Sequence, residues 1–86
     1  MGVNLSNKMI ITEELISSCN HERLIELVFL QGLPTSQAIA VHLIDDLGYR
    51  PSEAARLLSI SQIAISDSLR KGRSKQKCYF SNIDDS

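Results

Sequence analysis

The sequence predicts an all-α fold, a small domain of four to five helices. Three observations lead there. Apolar residues recur at steps of three and four along most of the chain, and nowhere alternate with the two-residue period of a half-buried strand. Residues that start helices, Thr12, Asn20 and Ser61, stand just before these stretches, and Gly32 and Gly48 stand just after two of them. The chain has 86 residues, 43% of them hydrophobic, which is enough for one small domain with a thin core.

Residues 1–11 are mixed polar and apolar with no period, and read as a flexible N-terminal arm in which Met9, Ile10 and Ile11 suit a short docking segment. Thr12 caps the first helix, with Glu13 and Glu14 in the turn where negative charge suits the helix dipole. Ser17-Ser18-Cys19 breaks it and Asn20 caps a second helix over His21–Gln31; one continuous helix from Thr12 to Gln31 is the alternative. Leu24, Ile25, Leu27, Val28, Phe29 and Leu30 make this segment apolar nearly all round. Such a helix is expected to be covered on more than one side, either wholly by the monomer core or partly by a second subunit. Gly32 ends it and Pro34 confirms the stop.

Thr35 or Ser36 is expected to cap a third helix running to about Leu47, with Ala38, Ile39, Val41, His42, Leu43 and Leu47 on its apolar face. Asp45 and Asp46 sit near its C-terminus, where acids are unfavourable, so Arg50 or Arg23 is expected to offset them. Gly48 closes the helix.

The stretch Pro51–Arg73 organises the chain. Pro51 leads into Ser52, read as an N-cap, and Ala54, Ala55, Leu57 and Leu58 form an apolar stripe. Ser59-Ile60-Ser61 is a tight turn with Ile60 as its apolar plug and Ser61 as the cap of the next helix, which turns Ala64, Ile65 and Leu69 inward. Two short helices, a three-residue turn and a methyl-sized residue, Ala55, at the crossing are the sequence form of a helix-turn-helix. Ser59 stands where such turns favour glycine, so the turn is expected to be slightly strained or slightly different in shape. Beyond Leu69 the chain reads RKGRSKQK, with Gly72 and Ser74 expected to loosen the helix. The helical domain is thus placed at residues 12–77, the motif at 51–73 and a C-terminal tail at 78–86, in which Cys78, Tyr79 and Phe80 suit a small apolar patch.

The net charge is −1, but it is unevenly spread: −4 over residues 1–49, +5 over residues 50–77 and −2 over the rest. Positive charge gathered on and after the motif is the electrostatic footprint of a DNA face. No catalytic constellation accompanies it. His21 and His42 are isolated, the acids fall in adjacent pairs that point apart on a helix, and there is no glycine-rich phosphate loop. An enzyme and a bound cofactor or metal are therefore not expected. Cys19 and Cys78 lie far apart with no zinc spacing, and no apolar run approaches a membrane span, so a reduced cytoplasmic setting is expected.

The string LLSISQIAIS is similar to the turn core of many bacterial DNA-binding domains. The order of elements narrows this: an apolar helix ending LVFLQGLP, the helix QAIAVHLIDDLGY, the turn motif, then a basic exit. Over roughly Leu24 to Arg73 this order resembles the PapB-type regulators of bacterial adhesin and fimbrial operons; KorA-type plasmid regulators and region 4 of sigma factors share the motif. The resemblance implies a DNA-binding transcriptional regulator that acts as an oligomer. SQIAISDSLRKG lacks that family's usual aromatic and Asn residues, so no operator sequence carries over.

The expected partner is double-stranded DNA, read in the major groove by the helix at 61–71. Gln62 suits adenine N6/N7, Ile63 a thymine methyl and Asp67 cytosine N4, with Ser66 beside them. Ser52, Arg56, Ser61, Arg70, Lys71 and Arg73 suit the phosphate backbone. A homo-oligomer is expected through Leu27, Val28, Phe29 and Leu30. The alternative is a protein-binding adaptor or anti-activator that turns the same helices against another regulator or RNA polymerase.

Overall fold

The computed structural model describes residues 10–84, which fold into five helices with no strand among them. They are α1 (Glu13–Ser18), α2 (His21–Ile25, continued by a π-helical turn over Glu26–Leu30), α3 (Thr35–Val41, continued by a π-helical turn over His42–Asp46), α4 (Pro51–Leu58) and α5 (Gln62–Asp84). The expected N-terminal arm lies outside the described residues up to residue 9. Ile10 donates its N–H to the Leu58 carbonyl at 2.9 Å, which ties the start of the domain to the end of α4.

The local signals for α1 and α2 act as read. Thr12 Oγ1 accepts the Leu15 N–H at 3.1 Å, and Asn20 Oδ1 accepts the Arg23 N–H at 3.1 Å. Cys19 is extended between them, so the single continuous helix does not form. The ends of α2 and α3 are built alike. In each, a π-helical turn is closed by a bond from the residue after a glycine back across six residues: Leu33 N–H to the Leu27 carbonyl at 3.0 Å, and Tyr49 N–H to the Leu43 carbonyl at 2.9 Å. The glycines take φ of +76° at Gly32 and +82° at Gly48, where a Cβ is strained. Leu33 is buried and Tyr49 half-buried, so each closing residue also packs on the core.

Two expected helix starts need correction. α3 begins at Thr35 with Pro34 outside it and no side-chain cap, so neither Thr35 nor Ser36 caps. α4 begins at Pro51 itself, because a first-turn residue has no use for an N–H and proline's φ already suits the helix. Ser52 is therefore inside the first turn. The cap at this end is Glu53, whose Oε1 accepts the Arg50 N–H at 3.1 Å. Arg50, with no acceptor on its side chain, cannot reciprocate.

α4 ends in a left-handed turn that leads directly into α5. Ser59 takes φ +60° and ψ +40°, the Ile60 N–H reaches the Ala55 carbonyl at 3.0 Å, and Ser61 Oγ accepts the Ala64 N–H at 3.1 Å to start α5. A left-handed non-glycine residue costs on the order of 1–2 kcal/mol, so the strain anticipated at Ser59 is present. Ile60 is half-buried against the core and Ala55 is buried. Leu57, expected on the inner stripe, is exposed instead.

α5 does not loosen at Gly72. It runs unbroken to Asp84, so the expected tail is helical through residue 84. Gly72 is buried where α5 crosses α3, and a Cβ there would lie 2.7 Å from Val41 Cγ2 and 3.3 Å from the Gln37 carbonyl oxygen. Its role is close approach, not flexibility. Tyr79 and Phe80 lie on α5 with their rings edge to face, 5.1 Å apart, rather than folding back as a separate patch.

α3 is the centre of the core. Ala38, Ile39, Ala40, Val41 and Leu43 are all buried, in one core with Leu15, Leu27, Leu33, Ala54, Ala55, Leu58, Ile65 and Leu69. His42 is buried too, at 1% exposure. Its Nε2 accepts the Asn20 backbone N–H at 3.0 Å, so the proton sits on Nδ1 and is donated to Asp46 Oδ2 at 2.8 Å. Arg23 Nε donates to the same oxygen at 2.8 Å. Burial opposes the charge on Asp46, but the Arg23 and His42 hydrogen bonds together outweigh it and hold the carboxyl below the usual carboxylate range. Arg23 thus offsets Asp46 as expected. Asp45 is offset by Arg73 rather than Arg50.

Candidate nucleic-acid interface

The site is built from the turn upward. The Ser61 cap sets the register of α5, which puts Ile65 and Leu69 in the core and leaves Ala64 half-buried. The opposite side of the same turns carries Gln62, Ile63, Ser66, Asp67 and Arg70, which line one shallow surface depression. The five residues named from the sequence as outward-facing are therefore brought together. Ile63 is 83% exposed, the most exposed large apolar side chain among the described residues. A β-branched group held in water at the leading end of a helix has no structural use in the monomer.

Asp67 differs from its expected role. Its carboxylate binds Arg70 Nη2 at 2.6 Å and Lys71 Nζ at 3.1 Å. The Lys71 bond, then the Arg70 bond, holds it below the usual carboxylate range. In this arrangement its oxygens accept from cations of its own helix. It also cancels one of the two positive charges beside it.

Arg73 does not join the site. Its Nη2 and Nε grip Asp45 Oδ1 and Oδ2 at 2.5 and 3.1 Å, a bidentate pair that anchors α5 to the C-terminal end of α3. That bond raises the Arg73 pKa further above its ordinary value. Ser52 and Arg56 are exposed one turn apart on α4, whose other side buries Ala54, Ala55 and Leu58. Arg56 makes no ion pair among the described residues.

A second surface lies on α2. Phe29 is 78% exposed, Leu30 64% and Ile25 55%. Of the residues expected at an oligomer contact, Phe29 and Leu30 are available. Leu27 is not: it is fully buried in the monomer core, and Val28 is half-buried against that core. The apolar ring of α2 is thus divided, one side facing the core and one facing solvent.

Among the described residues no group of three His, Cys, Asp or Glu side chains could hold a metal ion. His21 Nε2 lies 2.9 Å from the Ile16 carbonyl, a local bond of the α1–α2 junction. Cys19 and Cys78 are free, one buried and one exposed, and burial pushes the Cys19 thiol up. No helix is long and apolar enough to cross a membrane among the described residues. No family model matches the chain, and neither a curated protein nor a solved structure matches it at a significant level.

Proposed function

We propose that the chain is a sequence-specific DNA-binding transcription regulator that uses α4 and α5 as a helix-turn-helix. The observation that carries this reading is the leading face of α5: Gln62, Ile63, Ser66 and Arg70 stand exposed on two turns whose other side is locked into the core. Gln62 would pair with adenine and Ile63 would pack on a thymine methyl. Ser52, Arg56, Ser61, Arg70 and Lys71 would hold phosphates, the last two by exchanging Asp67 for DNA. A single unit of this kind reads few base pairs, so the active form is an oligomer, joined through Phe29 and Leu30 on α2. This agrees with the resemblance to PapB-type operon regulators and with a cytoplasmic setting.

The test is a fluorescence anisotropy titration on duplex DNA from upstream of the chain's own gene, repeated across salt concentrations. Binding should weaken steeply as salt rises, by about 0.9 log units per log unit of salt for each phosphate neutralised. Gln62→Ala should cost roughly 1–3 kcal/mol at one base position while leaving mixed-sequence binding unchanged. The exposed apolar face of α2 supports a second reading, a protein-binding adaptor. That reading gains if the chain ignores DNA at low salt yet binds RNA polymerase with little salt dependence.

A further inference from the structure

The unbroken course of α5 extends the charged surface well past the turns assigned to base reading. Starting from Ile63, the steps four, three, four, three lead to Asp67, Arg70, Ser74 and Lys77, and such steps stay on one side of a helix. Ile63, Arg70, Ser74 and Lys77 are exposed and Asp67 is half-exposed. The other side of this half of the helix faces the body, with Gly72 against α3 and Gln76 Nε2 bonded to Gln31 Oε1 at 3.0 Å.

The chemistry along this stripe changes in order. Gln62, Ile63 and Ser66 come first, then Arg70 and Lys71 around Asp67, then Ser74 and Lys77, with no acid between Asp67 and Asp84. Lys77 makes no ion pair among the described residues, whereas Arg73 is consumed by Asp45. A straight helix of 23 residues is about 34 Å long, and the major groove is about 12 Å wide and winds away from it. Only the leading turns can stay among the base edges. The following turns ride over the sugar-phosphate wall, and Lys77 lies about 10 Å beyond Arg70 along the axis.

We propose that Lys77 binds a DNA phosphate from outside the groove, a backbone anchor beyond Arg70 and Lys71 on a stretch where Arg73 is turned to Asp45. The proposal rests on the DNA-binding reading above. Its occupant is the phosphate backbone of duplex DNA, matched by an unpaired ammonium and the neighbouring Ser74 hydroxyl on the part of the stripe beyond Asp67, which carries no acid.

The experiment measures the salt slope of binding to a mixed-sequence duplex of about three helical turns, for the full chain and three variants checked for helix content. Lys77→Gln should reduce the slope by about 0.9, and Lys77→Arg should restore it. Lys75→Gln removes the same charge from the flank that faces Gln31 and Gly32, and should leave the slope unchanged. An unchanged slope in Lys77→Gln, or equal losses in Lys77→Gln and Lys75→Gln, overturns the proposal. If the unmodified chain shows no salt-dependent DNA binding, the DNA-binding reading itself falls and takes the anchor with it. The two failures are therefore distinguishable.

Discussion

Around α2 a polar network reaches the buried His42, whereas α4 and α5 cross the rest of the molecule through small apolar residues, with their polar ties, Arg73 to Asp45 and Gln76 to Gln31, at the edge. His42 ties the cap of α2 to the end of α3, and Asp46 gathers both His42 and Arg23. On the other side Ala54, Ala55 and Gly72 let helices approach closely, with Leu58, Ile65 and Leu69 filling the space between. The outer faces also differ: α2 shows the apolar cluster Ile25, Phe29 and Leu30 to solvent, while α5 shows Gln62, Ser66 and Arg70 around the single apolar Ile63. The region with the buried polar network thus offers an apolar surface, and the region of close apolar crossings offers a mixed one. A close-packed joint fixes the orientation of α5 to within side-chain clearance, as the proposed reading of base edges would require. A hydrogen-bonded joint can be released by removing one partner, because the group left behind stays buried and unpaired.

The largest expected effect tests the polar joint. His42→Ala leaves the Asn20 N–H without its acceptor and opens a cavity, at a cost of roughly 2–4 kcal/mol read by chemical denaturation. Amide exchange should rise first in α1 and α2. Equal loss of protection in α5 would show that the two regions are not separate. Ala55→Leu tests the apolar joint. Overpacking the crossing should cost about 1–3 kcal/mol, and any DNA binding should fall with it. A stable variant that binds normally would mean that α4 and α5 do not meet at Ala55.

Acid sharpens the comparison at the polar joint, where Asp46 is the shared acceptor. The Asp46 carboxyl titrates lower in the folded chain than in the unfolded one, so its stabilisation is present above the ordinary carboxylate range and is lost as pH falls through the depressed folded value. Asp46→Asn should lower stability by about 1 kcal/mol near neutrality and flatten the acid limb of the pH–stability curve. An unchanged acid limb would remove Asp46 from the joint. Ser59→Gly relieves the left-handed residue in the turn and should stabilise by roughly 1 kcal/mol, seen as a higher melting temperature. The smallest effect on stability is expected from Phe29→Glu, within about 0.5 kcal/mol, because the ring is already in water. Sedimentation at micromolar concentration should nevertheless show loss of self-association. A variant that unfolds would place Phe29 in the monomer core.

Signals carried by one turn of chain were legible without the fold. Thr12, Asn20 and Ser61 cap because each oxygen needs only an N–H three residues on, and Gly32 and Gly48 end helices because φ there is positive. The outward set Gln62, Ile63, Ser66, Asp67 and Arg70 followed from the same short-range register. The starts of α3 and α4 depart from the expected caps for a local reason too. Pro34 stands outside its helix and Pro51 inside, and a fixed φ near −65° suits both positions.

What the sequence by itself determined, then, is the all-α class, the order of the helices and the outer face of α5, since all three follow from bonds within a few residues. Tertiary structure decided the rest. Whether Gly72 breaks a helix or admits a neighbour depends on Val41 and Gln37 standing opposite. Arg73 faces phosphate or protein according to where Asp45, 28 residues away, is placed. Leu27 is core and Phe29 is surface because the helix packs on one side only, and no periodicity in an all-apolar turn says which side that is.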